Sequence, residues 1–226
     1  MSMESLKNKN GYSFEDLLEI MDILRSKNGC PWDKEQNHKS IRNNFIEEVY
    51  EAVEGIDNND STLLKEELGD VLLQVVFHAK IAKDEKEFDI NDVLTGICKK
   101  LILRHPHIFG DTKVSSSDDV LKNWDEIKKI EKKQKSKFDV LNSVARSFPS
   151  LVRAQKIYHK SKENISDETI INRINKNLMQ INSSDDKKNI MGEILFDAAS
   201  LCDNLKIDAE ECLYMENDRA VTIKSK

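Results

Sequence analysis

Apolar side chains recur at Phe14, Leu17, Leu18, Ile20, Met21, Ile23 and Leu24, and this spacing predicts a first helix over 14–27. The segment "NGCPWD" (28–33) interrupts it, because Gly and Pro punctuate helices. A second helix is predicted from about Asn37 or His38 to Asp57, with Ile46, Val49, Tyr50, Val53 and Ile56 on one face. Its glutamates, Glu47, Glu48, Glu51 and Glu54, lie opposite that stripe, where a solvated acidic face is expected. "DNNDS" (57–61) reads as a turn with capping residues, and a third helix is predicted from Thr62 to Asp84. From Val71 to Ala79 its apolar side chains point nearly all round, so it should be mostly buried. A fourth helix spans about Ile90 to Arg104 and ends at "RHPHIFGD". "SSSDD" (115–119) can cap a fifth, from about Asp118 to Lys135. After Pro149, four more helical patterns cover 151–162, 168–181, 187–205 and 208–221. No segment alternates with a period of two, so the fold class expected is all-α.

The last three patterns echo the first half. "LGDVLLQVVFHAKIA" (68–82) aligns with "MGEILFDAASLCDNL" (191–205) at an offset of 123 residues. "NDVLTGICKK" then aligns with "AEECLYMENDR" after a small deletion, and "IEEVYEAVEGI" faces "NRINKNLMQI".

Composition agrees with a helical chain: 226 residues with only 7 Gly and 3 Pro, 34% charged, long enough for a sizeable core. A net charge of −6 argues against a general nucleic-acid-binding role. The start, "MSMESLKNKNGYS", has no apolar core, so no signal peptide is expected. "VLLQVVFHAKIA" is too short and interrupted to span a bilayer. Cys30, Cys98, Cys202 and Cys212 lie far apart in sequence with no CxxC pair, the pattern of reduced thiols in a cytoplasmic protein.

The third helix carries a contradiction. Glu67, Asp70 and Gln74, at i, i+3 and i+7, draw a polar seam down a helix that should be buried, and His78 lies close to that line. Buried carboxylates are costly unless paired or bound to a cation, and no Lys or Arg shares the seam. A hard divalent metal with oxygen ligands resolves the cost. Two i,i+3 pairs, Glu48/Glu51 and Glu67/Asp70, can present four carboxylates across a gap between helices. That charge suits Mg²⁺ or Mn²⁺ carrying waters and a phosphate. A di-iron bundle would want Glu-x-x-His on two helices. Only Glu35/His38 has that spacing, at a loop–helix junction. No Cys/His cluster has zinc spacing.

"EEVYE" (47–51) followed by "ELGD" (67–70) resembles the EExxE…ExxD signature of the MazG-type nucleoside triphosphate pyrophosphohydrolases. "GCPWDKEQNHKSI", "EELGDVLLQVVFHA", "KKLILRHPHIFGD" and "NWDEIKKIEK" match further family words in order over 15–135. "RAQK" (153–156) is similar to the connector of tandem members. The resemblance implies an all-α helical bundle built by pairing two copies, hence a homodimer. It implies hydrolysis of a nucleoside triphosphate to monophosphate and pyrophosphate with Mg²⁺. Carried onto this chain, the metal ligands are Glu48, Glu51, Glu67 and Asp70, and Glu47 is assigned to holding or activating the attacking water. Lys100 and Arg104 match a phosphate-contacting basic pair, and Trp124 and Lys128 an element that closes over the nucleotide. An indole stacks on any base, which suits a broad NTP and dNTP range. Without the resemblance, Lys100 and Arg104 would read as a basic last turn complementing the helix dipole, and Trp124 equally as core. Trp32, His105 and His107 read as structural.

The implied organisation is an active module over 1–138 and a degenerate second module over 139–226. In the second, the signature positions read Arg173, Ile174 and Asn177, then Ile190 and Glu193, so one carboxylate survives. Arg219 is expected to replace the Lys100 counterpart, and Ile223 stands at that of Arg104. The competing readings are a nucleotide-binding scaffold without turnover and an enzyme selective for one dNTP or a damaged nucleotide.

Overall fold

The computed structural model describes residues 6–131 and 136–224, and every regular element among them is an α-helix. The chain divides into two compact units, Met1–Val114 and Ser115–Lys226.

In the first unit Ser13 caps α1 (Phe14–Leu24) through a reciprocal bond pair with Asp16. The helix stops at Leu24 rather than Lys27, because the Cys30 N–H turns back to the Leu24 carbonyl at 2.8 Å. Gly29 is obligatory in this turn, since a Cβ there would lie 2.1 Å from that carbonyl oxygen. The expected break holds one helical turn, α2 (Pro31–Glu35), opened by its proline. Arg25 fastens the segment. Its guanidinium donates to the carbonyls of Asp33 and Gln36 and to Asp84 Oδ2 at 3.0 Å, and covers the Phe77 ring at 5.5 Å. Trp32 meets the same ring edge-on at 6.3 Å.

The helix expected from Asn37 or His38 starts only at Arg42, as α3 (Arg42–Asp57). Asn37 instead closes a side-chain turn, accepting from the N–H groups of Lys39 and Ser40. Asp60 caps α4 (Ser61–Asp84), taking the N–H groups of Thr62 and Leu63. Asp89 caps α5 (Ile90–Arg104), and one turn, α6 (Pro106–Phe109), follows. Met21, Ile41, Val76, Phe77 and Ile81 form the core, flanked by Phe14, Leu17, Leu18 and Leu73, so α1 packs on the C-terminal half of α4.

One expectation holds only in part. The apolar stripe of α3 is 39–57% exposed, whereas Ala52 and Gly55, on its glutamate side, are buried. The acidic side is therefore divided: Glu47, Glu51 and Glu54 are exposed, whereas Glu48, Ala52 and Gly55 are withdrawn against α4. Small residues there let α3 lie close against α4: a Cβ on Gly55 would come within 2.8 Å of the Leu64 backbone nitrogen.

In the second unit, Ser115 and Ser116 cap α7 (Ser117–Glu131) through Asp119. Its expected end at Lys135 lies outside the described residues. The periodicity did not predict α8 (Lys137–Asn142), although Ser136 and Asp139 form a capping box. Then come α9 (Ser150–Ser161), α10 (Asp167–Gln180), α11 (Lys187–Leu205) and α12 (Ala209–Lys224). Helix α10 packs along α11 as α3 packs along α4, and α9 packs on α11 as α1 packs on α4. Burial repeats at the 123-residue offset: Glu67, Gln74, Val76 and Phe77 are buried, and so are Ile190, Asp197, Ala199 and Ser200. The division falls after Val114, so α7 lies in the second unit.

Candidate active site

Helices α3 and α4 run side by side, and their facing turns carry the carboxylates. A ligand oxygen from each of Glu48, Glu67 and Asp70 lies within 4.8 Å of the other two. Glu51, one turn after Glu48, lies against both Glu48 and Glu67. The cluster is partly withdrawn from water, with Glu67 8% and Gln74 6% exposed. Burial, and then the charges of Asp70 and Glu51, push the Glu48 carboxyl above its ordinary range, while a hydrogen bond from Gln74 partly opposes them. Burial also raises Glu67, followed by the charges of Glu51 and Asp70. No Lys or Arg salt bridge reaches these groups among the described residues.

Like charges raising one another's pKa mark a place that wants a cation. Gln74 adds a second sign: its Oε1 is buried with no hydrogen-bond partner among the described residues. A buried amide oxygen beside clustered carboxylates suits the shell of a hydrated hard cation. The donor set is all oxygen, which fits Mg²⁺ or Mn²⁺ better than zinc.

Other expected site residues fall elsewhere. Glu47 is exposed on α3. Lys100 and Arg104 lie one turn apart at the end of α5, in the same unit as the carboxylates. Trp124 and Lys128 lie on α7 in the second unit, where Lys128 lines a cavity with Lys156, His159 and Asp203. His78 does not join the carboxylate seam. Its Nδ1 lies 2.7 Å from His38 Nδ1 with the rings stacked, and burial lowers its pKa, as does His38. His38 also lies beside Glu85 and Glu87, a small cluster the sequence did not reveal. Glu35 ends α2 and His38 sits in the following turn, so they form no helical Glu-x-x-His pair.

The second unit closes the corresponding gap differently. Asn177 donates to Glu193 Oε2 at 3.0 Å, and Arg173 clasps the buried Asp197 with two hydrogen bonds. Ile190 stands at the offset position of Glu67 and is buried. Cys202 and Cys212, distant in sequence, are neighbours, and burial raises the Cys202 thiol, with Cys212 adding to it.

Sequence reasoning missed the residues that set the helix spacing. Gly55, a helix-weakening residue inside an otherwise regular helical pattern, was the available signal.

Residues 36–109 match the model of the MazG nucleotide pyrophosphohydrolase domain. The chain is 39% identical over 212 residues to the nucleoside triphosphate pyrophosphohydrolase/pyrophosphatase MazG of Thermotoga maritima, covering 90% of this chain and 80% of that protein. It is 37% identical over 216 residues to the nucleoside triphosphate pyrophosphohydrolase of Escherichia coli K12, covering 90% and 82%. It is 49% identical over 146 residues to the uncharacterized protein YabN of Bacillus subtilis, spanning 65% of this chain and 30% of that longer protein.

Proposed function

The chain belongs to the MazG nucleotide pyrophosphohydrolase family, and from that premise we propose that it hydrolyses nucleoside triphosphates to monophosphates and pyrophosphate with Mg²⁺. The observation that carries this reading is the convergence of Glu48, Glu67 and Asp70 within 4.8 Å, with Glu51 against them. These four would hold the ion, with Mn²⁺ as a substitute. When bound, such an ion neutralises phosphate oxygens and makes water a better nucleophile.

Water adds to the α-phosphorus, and the bridging oxygen leaves with pyrophosphate. The chain's part is positioning and charge balance. Helices α3 and α4 fix the carboxylates before substrate arrives, because Ala52 and Gly55 hold the two backbones together. Glu47 is assigned the attacking water on the resemblance alone. Lys100 and Arg104 supply positive charge for the distal phosphates, which an acidic site cannot attract unaided. For Trp124 and Lys128, and for the broad NTP and dNTP range, the support is the resemblance and the indifference of indole stacking to base identity.

The exposed stripe of Ile46, Val49, Tyr50, Val53 and Ile56 supports pairing of two copies, since a stripe this long costs free energy in water. The free cysteines suit the cytoplasm. No helix among the described residues is long and apolar enough to cross a membrane.

The test is product analysis with a mixture of NTPs and Mg²⁺. Monophosphate and pyrophosphate should form, and Glu67→Gln or Asp70→Asn should abolish turnover in a folded protein. Diphosphate and orthophosphate as products, or near-normal turnover in both variants, would overturn the reading.

A further inference from the structure

A cavity of about 680 Å³ opens between α10 and α11 in the second unit, beside the site-equivalent positions. Its walls carry Arg173, Lys176 and Lys188 against Glu193 and Asp197, so cations outnumber carboxylates three to two. Both carboxylates already have partners. Arg173 donates to Asp197 from Nε at 3.1 Å and from a terminal nitrogen, and Asn177 donates to Glu193 at 3.0 Å. Lys176 and Lys188 face this space from opposite helices, and neither forms an ion pair among the described residues. Two uncommitted ammonium groups across one opening attract an anion that can bridge them.

The location sharpens the inference. At the 123-residue offset, Glu193 takes the place of Asp70 and Asp197 that of Gln74, while Ile190 removes the Glu67 carboxylate. The first unit gathers negative charge between its paired helices; the second gathers positive charge at the same level. A phosphate that would need a metal ion to approach the first can approach the second directly. Gly192 leaves the wall open, since a Cβ there would meet nothing within 4 Å. Phe196 contributes an apolar ring beside the charged groups, a surface on which a base can rest. The volume falls in the range of small-ligand sites.

We propose that this cavity binds a polyphosphate anion without a divalent metal, as a second ligand site distinct from the carboxylate cluster. Two sources share this chemistry: free pyrophosphate and the triphosphate of a nucleotide. The inference concerns binding and does not depend on turnover by the first unit.

The test uses the full chain carrying Glu67→Gln and Asp70→Asn, in EDTA, titrated calorimetrically with sodium pyrophosphate and, separately, with ATP. One equivalent should bind, more weakly as salt rises. Lys176→Gln with Lys188→Gln should weaken it tenfold or more, with circular dichroism unchanged because both side chains are exposed. ATP binding more tightly than pyrophosphate, with that advantage lost in Phe196→Ala, identifies the nucleotide; equal affinities identify pyrophosphate. Absence of binding by both anions in EDTA, or binding indifferent to the lysine pair, overturns the proposal.

Discussion

Replacing Gly55 with alanine tests whether the spacing of α3 and α4 is set by one missing methyl group. Alanine in a helix interior is favoured over glycine by about 1 kcal/mol. At Gly55 the added Cβ would stand 2.8 Å from Leu64 N and 3.0 Å from Leu64 Cα, and these are backbone atoms that cannot rotate away. Overpacking of this kind costs about 1–3 kcal/mol. The net effect is a loss of up to about 2 kcal/mol. Gly96→Ala on α5 supplies the control, because its Cβ would meet nothing within 4 Å and only the propensity gain remains. The difference between the two variants isolates the overpacking cost, and each kcal/mol corresponds to roughly 4–8 °C in Tm for a unit of this size. Urea unfolding followed by circular dichroism in EDTA should therefore place Gly55→Ala clearly below Gly96→Ala. Turnover should fall as well, with a higher Mg²⁺ requirement, because Gly55 lies one turn beyond Glu51 and its displacement widens the carboxylate gap. Equal stability of the two variants, with an unchanged Mg²⁺ requirement, would refute the idea that Gly55 fixes the spacing.

In the metal-free protein the raised carboxyls of Glu48 and Glu67 favour the protonated folded state. Their contribution is complete below the ordinary glutamate value of 4.5 and fades as pH rises through their raised values, so stability in EDTA should fall above that point. Mg²⁺ should flatten the fall, which urea midpoints across a pH series would reveal; a stability that rises with pH over that window in EDTA would contradict the cluster. Glu67→Gln should raise metal-free stability while removing the stabilisation by Mg²⁺, measured as the shift in Tm on adding the ion. Lys100→Ala should weaken binding of a nucleoside triphosphate more than of its monophosphate, and an equal loss for both by calorimetry would strip Lys100 of its distal-phosphate role.

The helices of this chain were legible because their apolar spacing and caps are local properties. Asp60, in the turn read as holding capping residues, caps α4 in the structure. The short elements α2, α6 and α8 were not legible, because one turn has no period to detect. The carboxylate set could be read because buried Glu67 and Gln74 conflict with an apolar surround. That Glu48 and Glu51 face Glu67 and Asp70 follows from their spacing, but the exposure of the apolar stripe of α3 does not. Periodicity reports where apolar residues lie, not which surface a helix turns to its first neighbour, and Ala52 and Gly55 decided that instead. The Arg173–Asp197 and His38–His78 pairs join residues 24 and 40 positions apart, beyond the reach of any helical wheel.

The two units balance their interhelical gaps by opposite means. Between α10 and α11, amide meets carboxylate and guanidinium meets carboxylate, so each carboxylate there has a donor. Between α3 and α4, carboxylates face carboxylates, and the seam is frustrated until something cationic enters. On the proposed Mg²⁺ reading, the site is a local weakness in one half of the molecule. When Mg²⁺ is chelated, that half should open first, and a protease present then should cut within the first unit while α9 to α12 stay intact. On that reading the concentration of a simple ion sets how long the protein survives, besides its proposed part in turnover.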